Sequence, residues 1–181
     1  ECCRVYVKGM VNRSKVLFDA MSYKDSKPDS EGYSVLCDVM MKTPGYELRM
    51  KEFFRTYPYS VHIPQIRYAY ALNLFDAQKY KAASAELALI KPKQLEKSQR
   101  TEFLFKRAYS DLENKDYDLA LLRFRDVEKL PVSEYTAPSR YAIGYINYQK
   151  KEFREALPWF EKSAEDGRFE AISNWYIMEC R

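Results

Sequence analysis

Apolar side chains recur three and four residues apart along most of this chain, the spacing of one face of an α-helix. The stretch "DYDLALLRF" (116–124) reappears as "EFREALPWF" (152–160), with an aromatic followed by alanine at +3 and a second aromatic at +7. With the opening apolar residue as a marker, the phrase falls at Val11, Tyr46, Tyr80, Tyr117 and Phe153, so the period is 34–37 residues. Three residues after each marker stand Ser14, Arg49, Ala83, Ala120 and Ala156; seven after stand Phe18, Phe53, Leu87, Phe124 and Phe160. Nine residues before each stand Cys2, Cys37, Ala71, Ala108 and Gly144, all small.

This pattern predicts a helical hairpin repeated along the chain. A small residue on the first helix, helix A, admits the crossing of the second, helix B. On helix B the alanine sits at the contact, and the bulky residue one turn later fills the space beside it. Asp116 in "NKDYD" is expected to cap the start of one helix B. Pro28, Pro58, Pro92 and Pro131 mark the breaks between hairpins. The expected units run 1–28, 29–58, 63–92, 100–131 and 137–167, with a lone C-terminal helix at 169–181. Most of helix A of the first unit would precede Cys2, and "EAISNWYIMECR" reads as a helix A without its partner, so the pattern expects a piece of a longer array or a capping arrangement.

Composition narrows the classes. The chain has 181 residues, 46% hydrophobic and 31% charged, with five glycines and eight prolines, a soluble globular balance with too few turn residues for an all-β chain. Its net charge of +4 is too small to imply a nucleic-acid or membrane partner. No apolar run approaches the ~20 residues of a membrane span, and "ECCRVYVKGM" lacks the apolar core of a signal peptide.

Candidate chemistry is sparse. Four scattered cysteines and one histidine give neither a disulfide framework nor a metal-ligand spacing. Cys2 and Cys37 fall at the small crossing position and read as packing residues. His62, in "YSVHIPQ", reads as a solvated loop residue. Asp116/Asp118 and Glu152/Glu155 read as helix N-terminal charges rather than acid–base pairs. No phosphate-binding loop or nucleophile elbow occurs, so no catalytic residue, cofactor, metal or small-molecule substrate is expected. "KPKQLEKSQR" (91–100) sets four cations against Glu96 and reads as a solvated connector, with an acidic partner as the alternative.

The small residue on helix A, the alanine and aromatic on helix B, and the late proline resemble the tetratricopeptide repeat. The stretch 137–169 fits best, through Ile143, Gly144, Tyr148, Phe153, Ala156 and Phe160. Arg67 and Arg140 depart from it where a tryptophan is usual, Arg107 where a leucine is, and Arg49 where alanine is. Arg49 implies either an uncertain register in the second unit or a stem laid along the helix pair. The phrases "YPYSVHIPQ" and "LPVSEYTAP" are similar to repeat proteins of Gram-negative envelopes, including lipoproteins that assist outer-membrane barrel assembly.

The resemblance implies an all-α fold: one right-handed α–α superhelix over 1–181, with helix A faces lining a concave groove. That groove would carry Tyr68, Leu72 and Phe75, then Phe105, Tyr109 and Leu112, then Tyr141, Tyr145 and Tyr148, drawing on a chain with 16 tyrosines. Such rings suit a protein interface. The lysine and asparagine of the carboxylate-clamp subclass are replaced by Tyr68/Leu72, Phe105/Tyr109 and Tyr141/Tyr145, which excludes that mode. The function implied is a non-enzymatic scaffold for a peptide or protein segment, periplasmic or in the bacterial cell envelope. The alternative is an RNA-binding helical-repeat protein; bulky rings stand where RNA-reading repeats carry small polar residues.

Overall fold

The computed structural model describes residues 27–181, and among these the regular structure is entirely helical. The expected first unit, with Cys2, Val11, Ser14 and Phe18, lies outside the described residues. The helices are α1 (Lys27–Met41), α2 (Tyr46–Thr56), α3 (Ile63–Asp76), α4 (Tyr80–Ala88), α5 (Arg100–Glu113), α6 (Tyr117–Glu128), α7 (Thr136–Gln149), α8 (Phe153–Ala164) and α9 (Glu170–Cys180). Two 3₁₀ turns, Pro92–Gln94 and Lys97–Gln99, connect α4 to α5. None of the described helices is long and apolar enough to cross a membrane.

These elements form two compact units that divide between Leu95 and Glu96. In the first, α1 packs on α2 and α3, and α3 packs on α4. In the second, contacts run in succession from α5 to α6, α7, α8 and α9.

The markers fix the helix starts. Tyr46, Tyr80, Tyr117 and Phe153 are each the first residue of a second helix. Connections of three or four residues before them leave consecutive helices as antiparallel neighbours. The four turns share one hydrogen-bonding scheme. Lys42, Gln78, Lys115 and Lys151 adopt left-handed φ values of 53–63°. The N–H of the following residue reaches back to the carbonyl five positions earlier: Thr43 to Asp38, Lys79 to Leu74, Asp116 to Asp111 and Glu152 to Asn147, at 2.9–3.1 Å. This is the Schellman closure, which satisfies carbonyls the helix end leaves open. Asp116 caps α6 as expected, its carboxylate accepting from the Leu119 N–H at 3.4 Å.

Packing follows the small-and-large rule. Cys37, Ala71 and Ala108 on the first helices are buried, as are Ala83, Ala120 and Ala156 on the second. Phe53, Leu87, Phe124 and Phe160 fill the space beside them with essentially no exposed surface. At the α7–α8 crossing, a Cβ on Gly144 would stand 2.9 Å from the Phe160 ring, so any larger residue would have to push that ring back.

Three of the four arginine departures are ion pairs. Arg49 bonds to the buried Asp38 carboxylate and to Ser34 Oγ at 2.9 Å, so its stem lies along the α1–α2 contact while Met50 and Phe53 supply the core. Arg67 reaches Glu86 at 2.7 Å and lies over the Phe54 ring at 4.7 Å; Arg140 reaches Glu128 at 3.3 Å. Pro28 sits in the first turn of α1, where its missing N–H has no intrahelical partner to lose.

His62 differs from expectation. It is buried, its Nε2 lies 3.1 Å from Asp29 Oδ1, and its ring packs on Tyr33 at 4.5 Å. Gly32 makes room for it, since a Cβ there would come within 2.6 Å of the imidazole. His62 therefore joins the N-terminal ends of α1 and α3, and a solvated loop role is ruled out.

Candidate functional site: an aromatic cavity in the second unit

Helices α5 and α7 each carry aromatic residues one turn apart, whose rings reach past the buried core. On α5, Phe105 and Tyr109 have ring centroids 6.1 Å apart. On α7, Tyr141 and Tyr145 are 6.4 Å apart and nearly parallel, at 20°. An i, i+4 spacing places such pairs on one face of a helix. Between them opens a cavity of about 460 Å³ lined by Phe105, Tyr109, Leu112, Tyr117, Pro138, Tyr141, Ala142, Tyr145 and Phe169, with Glu113 and Lys115 also in its lining.

Each wall is supported from behind. Phe105 contacts Phe124 edge-on at 5.8 Å and Tyr135 at 5.1 Å. Tyr141 contacts Phe160 at 5.9 Å, Phe169 at 5.4 Å and Tyr176 at 6.0 Å. Burial, with Tyr176 and Tyr145 nearby, pushes the Tyr141 phenol well above its ordinary pKa. Burial raises Tyr145 as well, with Tyr117, Tyr176 and Glu113 adding to it. Both stay neutral across the physiological range. The walls are thus apolar ring faces carrying neutral hydroxyls, able to pack against apolar side chains while exchanging hydrogen bonds with a backbone.

The nine groove residues expected from the sequence divide. Phe105, Tyr109, Leu112, Tyr141 and Tyr145 meet at this cavity. Tyr148 does not line it: its ring packs edge-on against Tyr176 at 5.0 Å and Phe153 at 5.4 Å. Tyr68, in the first unit, is only 2% exposed and cannot serve as a surface anchor as it stands. Leu72 and Phe75 are half-buried, and the Phe75 ring packs edge-on against Tyr80 at 5.3 Å. Sequence reasoning missed Tyr117, Pro138, Ala142 and Phe169. Phe169 is the N-cap of α9, outside the helix A faces that carried the expectation, whereas Pro138, in the first turn of α7, stands on that face three residues before Tyr141.

A second feature of this unit is electrostatic. Asp111, buried on α5, bonds to Arg123 of α6. Burial and the nearby Arg123 pull the Arg107 guanidinium below its ordinary pKa, and Asp111 opposes the shift. Arg107 thus holds the place of an apolar residue as part of an α5–α6 charge group.

No protein-family model matches the chain. No curated protein matches it either. Among the described residues no group of three or more His, Cys, Asp or Glu side chains is placed to hold a metal ion.

Proposed function

We propose that the chain is a non-enzymatic interaction scaffold, a right-handed solenoid of tetratricopeptide-type hairpins that takes a peptide or protein segment into its aromatic cavity. The observation that carries this reading is the convergence of Phe105, Tyr109, Leu112, Tyr141 and Tyr145 on one cavity of about 460 Å³. A hollow of that size with apolar ring walls accepts bulky side chains from an extended segment. At ~25 cal/mol per Å² of apolar area, each inserted side chain contributes ~1–2 kcal/mol after ordering costs. The shared helix B starts and the buried small residues support the repeat reading. The envelope assignment rests on the likeness of the two Pro-x-Ser phrases to envelope repeat proteins.

The test is a displayed random-peptide library panned on the chain, with counter-selection on the Tyr109→Arg/Tyr145→Arg variant and circular dichroism to check that its helices remain. Apolar-rich peptides that bind the chain and lose binding to the variant are the expected result. Enriched peptides that bind both equally, or salt-dependent retention of labelled RNA oligonucleotides in place of peptides, would overturn it.

A further inference from the structure

The first unit carries a different surface. The loop 57–62 projects Tyr59 and Val61 into solvent, 96% and 79% exposed, and Leu89 at the end of α4 is 63% exposed. Singly such exposure is ordinary, but these three ring one hollow of about 470 Å³ whose lining includes Pro58, Ile63 and Pro64. The loop is held in that shape. Ser60 donates its N–H to the Tyr57 carbonyl at 3.0 Å, and its Oγ accepts the His62 N–H at 3.2 Å. Tyr59 and Val61 are thereby kept out of the core on an ordered turn.

The turn beside the hollow adds positive charge. Gln94, also in the lining, is fixed by a reciprocal pair of bonds with Lys91: the Lys91 N–H donates to Gln94 Oε1 at 2.8 Å, and the Gln94 N–H donates to the Lys91 carbonyl at 2.9 Å. Lys91 and Lys93, both exposed, belong to the same turn as the lining residue Gln94 without themselves lining the hollow. No carboxylate of the described residues lies within ion-pair distance of either. Arg67 in the lining is already neutralised by Glu86 at 2.7 Å. The surplus is therefore cationic and comes from the two lysines.

We propose that this hollow is a second docking surface, which takes an apolar side chain of a protein segment whose flanking residues are acidic. Lys91 and Lys93 supply the complementary charge, which favours encounter and weakens with salt. A segment fits better than an anionic bilayer, because two lysines are fewer than the clusters of about four to eight cations by which proteins hold an anionic lipid surface.

The experiment is the same library panned on the full chain, now counter-selected on the Val61→Asp/Leu89→Asp variant, which alters exposed positions only. Its outcome is independent of the aromatic cavity, whose binders survive this counter-selection and are discarded. Enriched peptides should pair a bulky apolar residue with aspartate or glutamate. For one such peptide, calorimetry on the Lys91→Glu/Lys93→Glu chain should show binding weakened on the order of tenfold, with added salt now strengthening it instead of weakening it. Basic or neutral enriched sequences, binding unchanged by the charge reversal, no enrichment at all, or binding of phosphatidylserine vesicles with no peptide enriched would each overturn the proposal.

Discussion

Gly144→Ala sets two known effects against each other at one helix crossing. Alanine is the better helix former, so in an open helix the change would gain ~1 kcal/mol. Here the new Cβ would stand 2.9 Å from Cδ1 and Cε1 of Phe160 and 3.1 Å from its Cγ. Ordinary carbon contacts lie at about 3.5–4.0 Å, so the ring must retreat by roughly 0.6–1 Å. It has nowhere easy to go. Phe160 has no exposed surface, stacks on Tyr176 at 4.7 Å with 4° between ring planes, and meets Tyr141 at 5.9 Å. Overpacking of this kind costs ~1–3 kcal/mol, which outweighs the propensity gain and leaves a net loss of about 1 kcal/mol.

A double-mutant cycle separates the two effects. Phe160→Leu removes the ring and costs ~1–2 kcal/mol by itself. In that background Gly144→Ala should become neutral or stabilising, a coupling of ~1–2 kcal/mol between touching residues. Urea unfolding followed by circular dichroism, with m held as a check on unfolded-state effects, measures all four chains. If Gly144→Ala stabilises by its full propensity value, or if the two changes add within ~0.3–0.5 kcal/mol, the glycine–ring contact does not govern the crossing.

Two further outcomes follow from local features. Asp166 accepts hydrogen bonds from the Arg168 N–H at 3.0 Å, Nε at 2.9 Å and Nη2 at 2.8 Å, which hold its pKa down at about 2 against an ordinary 3.8. A depressed carboxylate contributes stability that is complete above its unfolded pKa and is lost as pH falls towards about 2, so Asp166→Asn should flatten the acid limb of urea midpoints from about pH 4 downwards. Lys151 holds a left-handed φ of 63° at the α7–α8 turn. Replacing it by glycine relieves ~1–2 kcal/mol of backbone strain against ~0.4–1 kcal/mol of added unfolded-state entropy, so thermal unfolding should shift upward by a few degrees at most.

What was legible in the sequence is what neighbouring helices decide between themselves. Ala108 meets the helix bearing Ala120 and Phe124 within a dozen or so residues, so the small-and-large rule leaves a local, repeating trace. The same locality shows in the starts of α2, α4, α6 and α8. His62 was misread because its partner Asp29 is 33 residues away and nothing in "YSVHIPQ" records it. Arg49 marked a real departure, whose cause, the buried Asp38, sits on the preceding helix with no periodic signal.

The expected groove residues divided for a different reason. A tyrosine on the exposed face of a helix A can line a cavity or pack against whatever element comes next, and the two uses share one spacing and one residue type. Tyr176 makes the point: it touches Tyr141, Tyr145 and Tyr148 at 5.0–6.1 Å, yet only the first two also open onto the cavity. What separates them is position along α7, because Tyr148 stands one turn nearer the α7–α8 connection, where Phe153 covers its other side at 5.4 Å. The extent of the cavity in this unit therefore depends on where α9 stops covering α7. A change that moves Tyr176 should alter the cavity through Tyr141 and Tyr145 while leaving Phe105 and Tyr109 in place, since those two rest on Phe124 and Tyr135 or on each other.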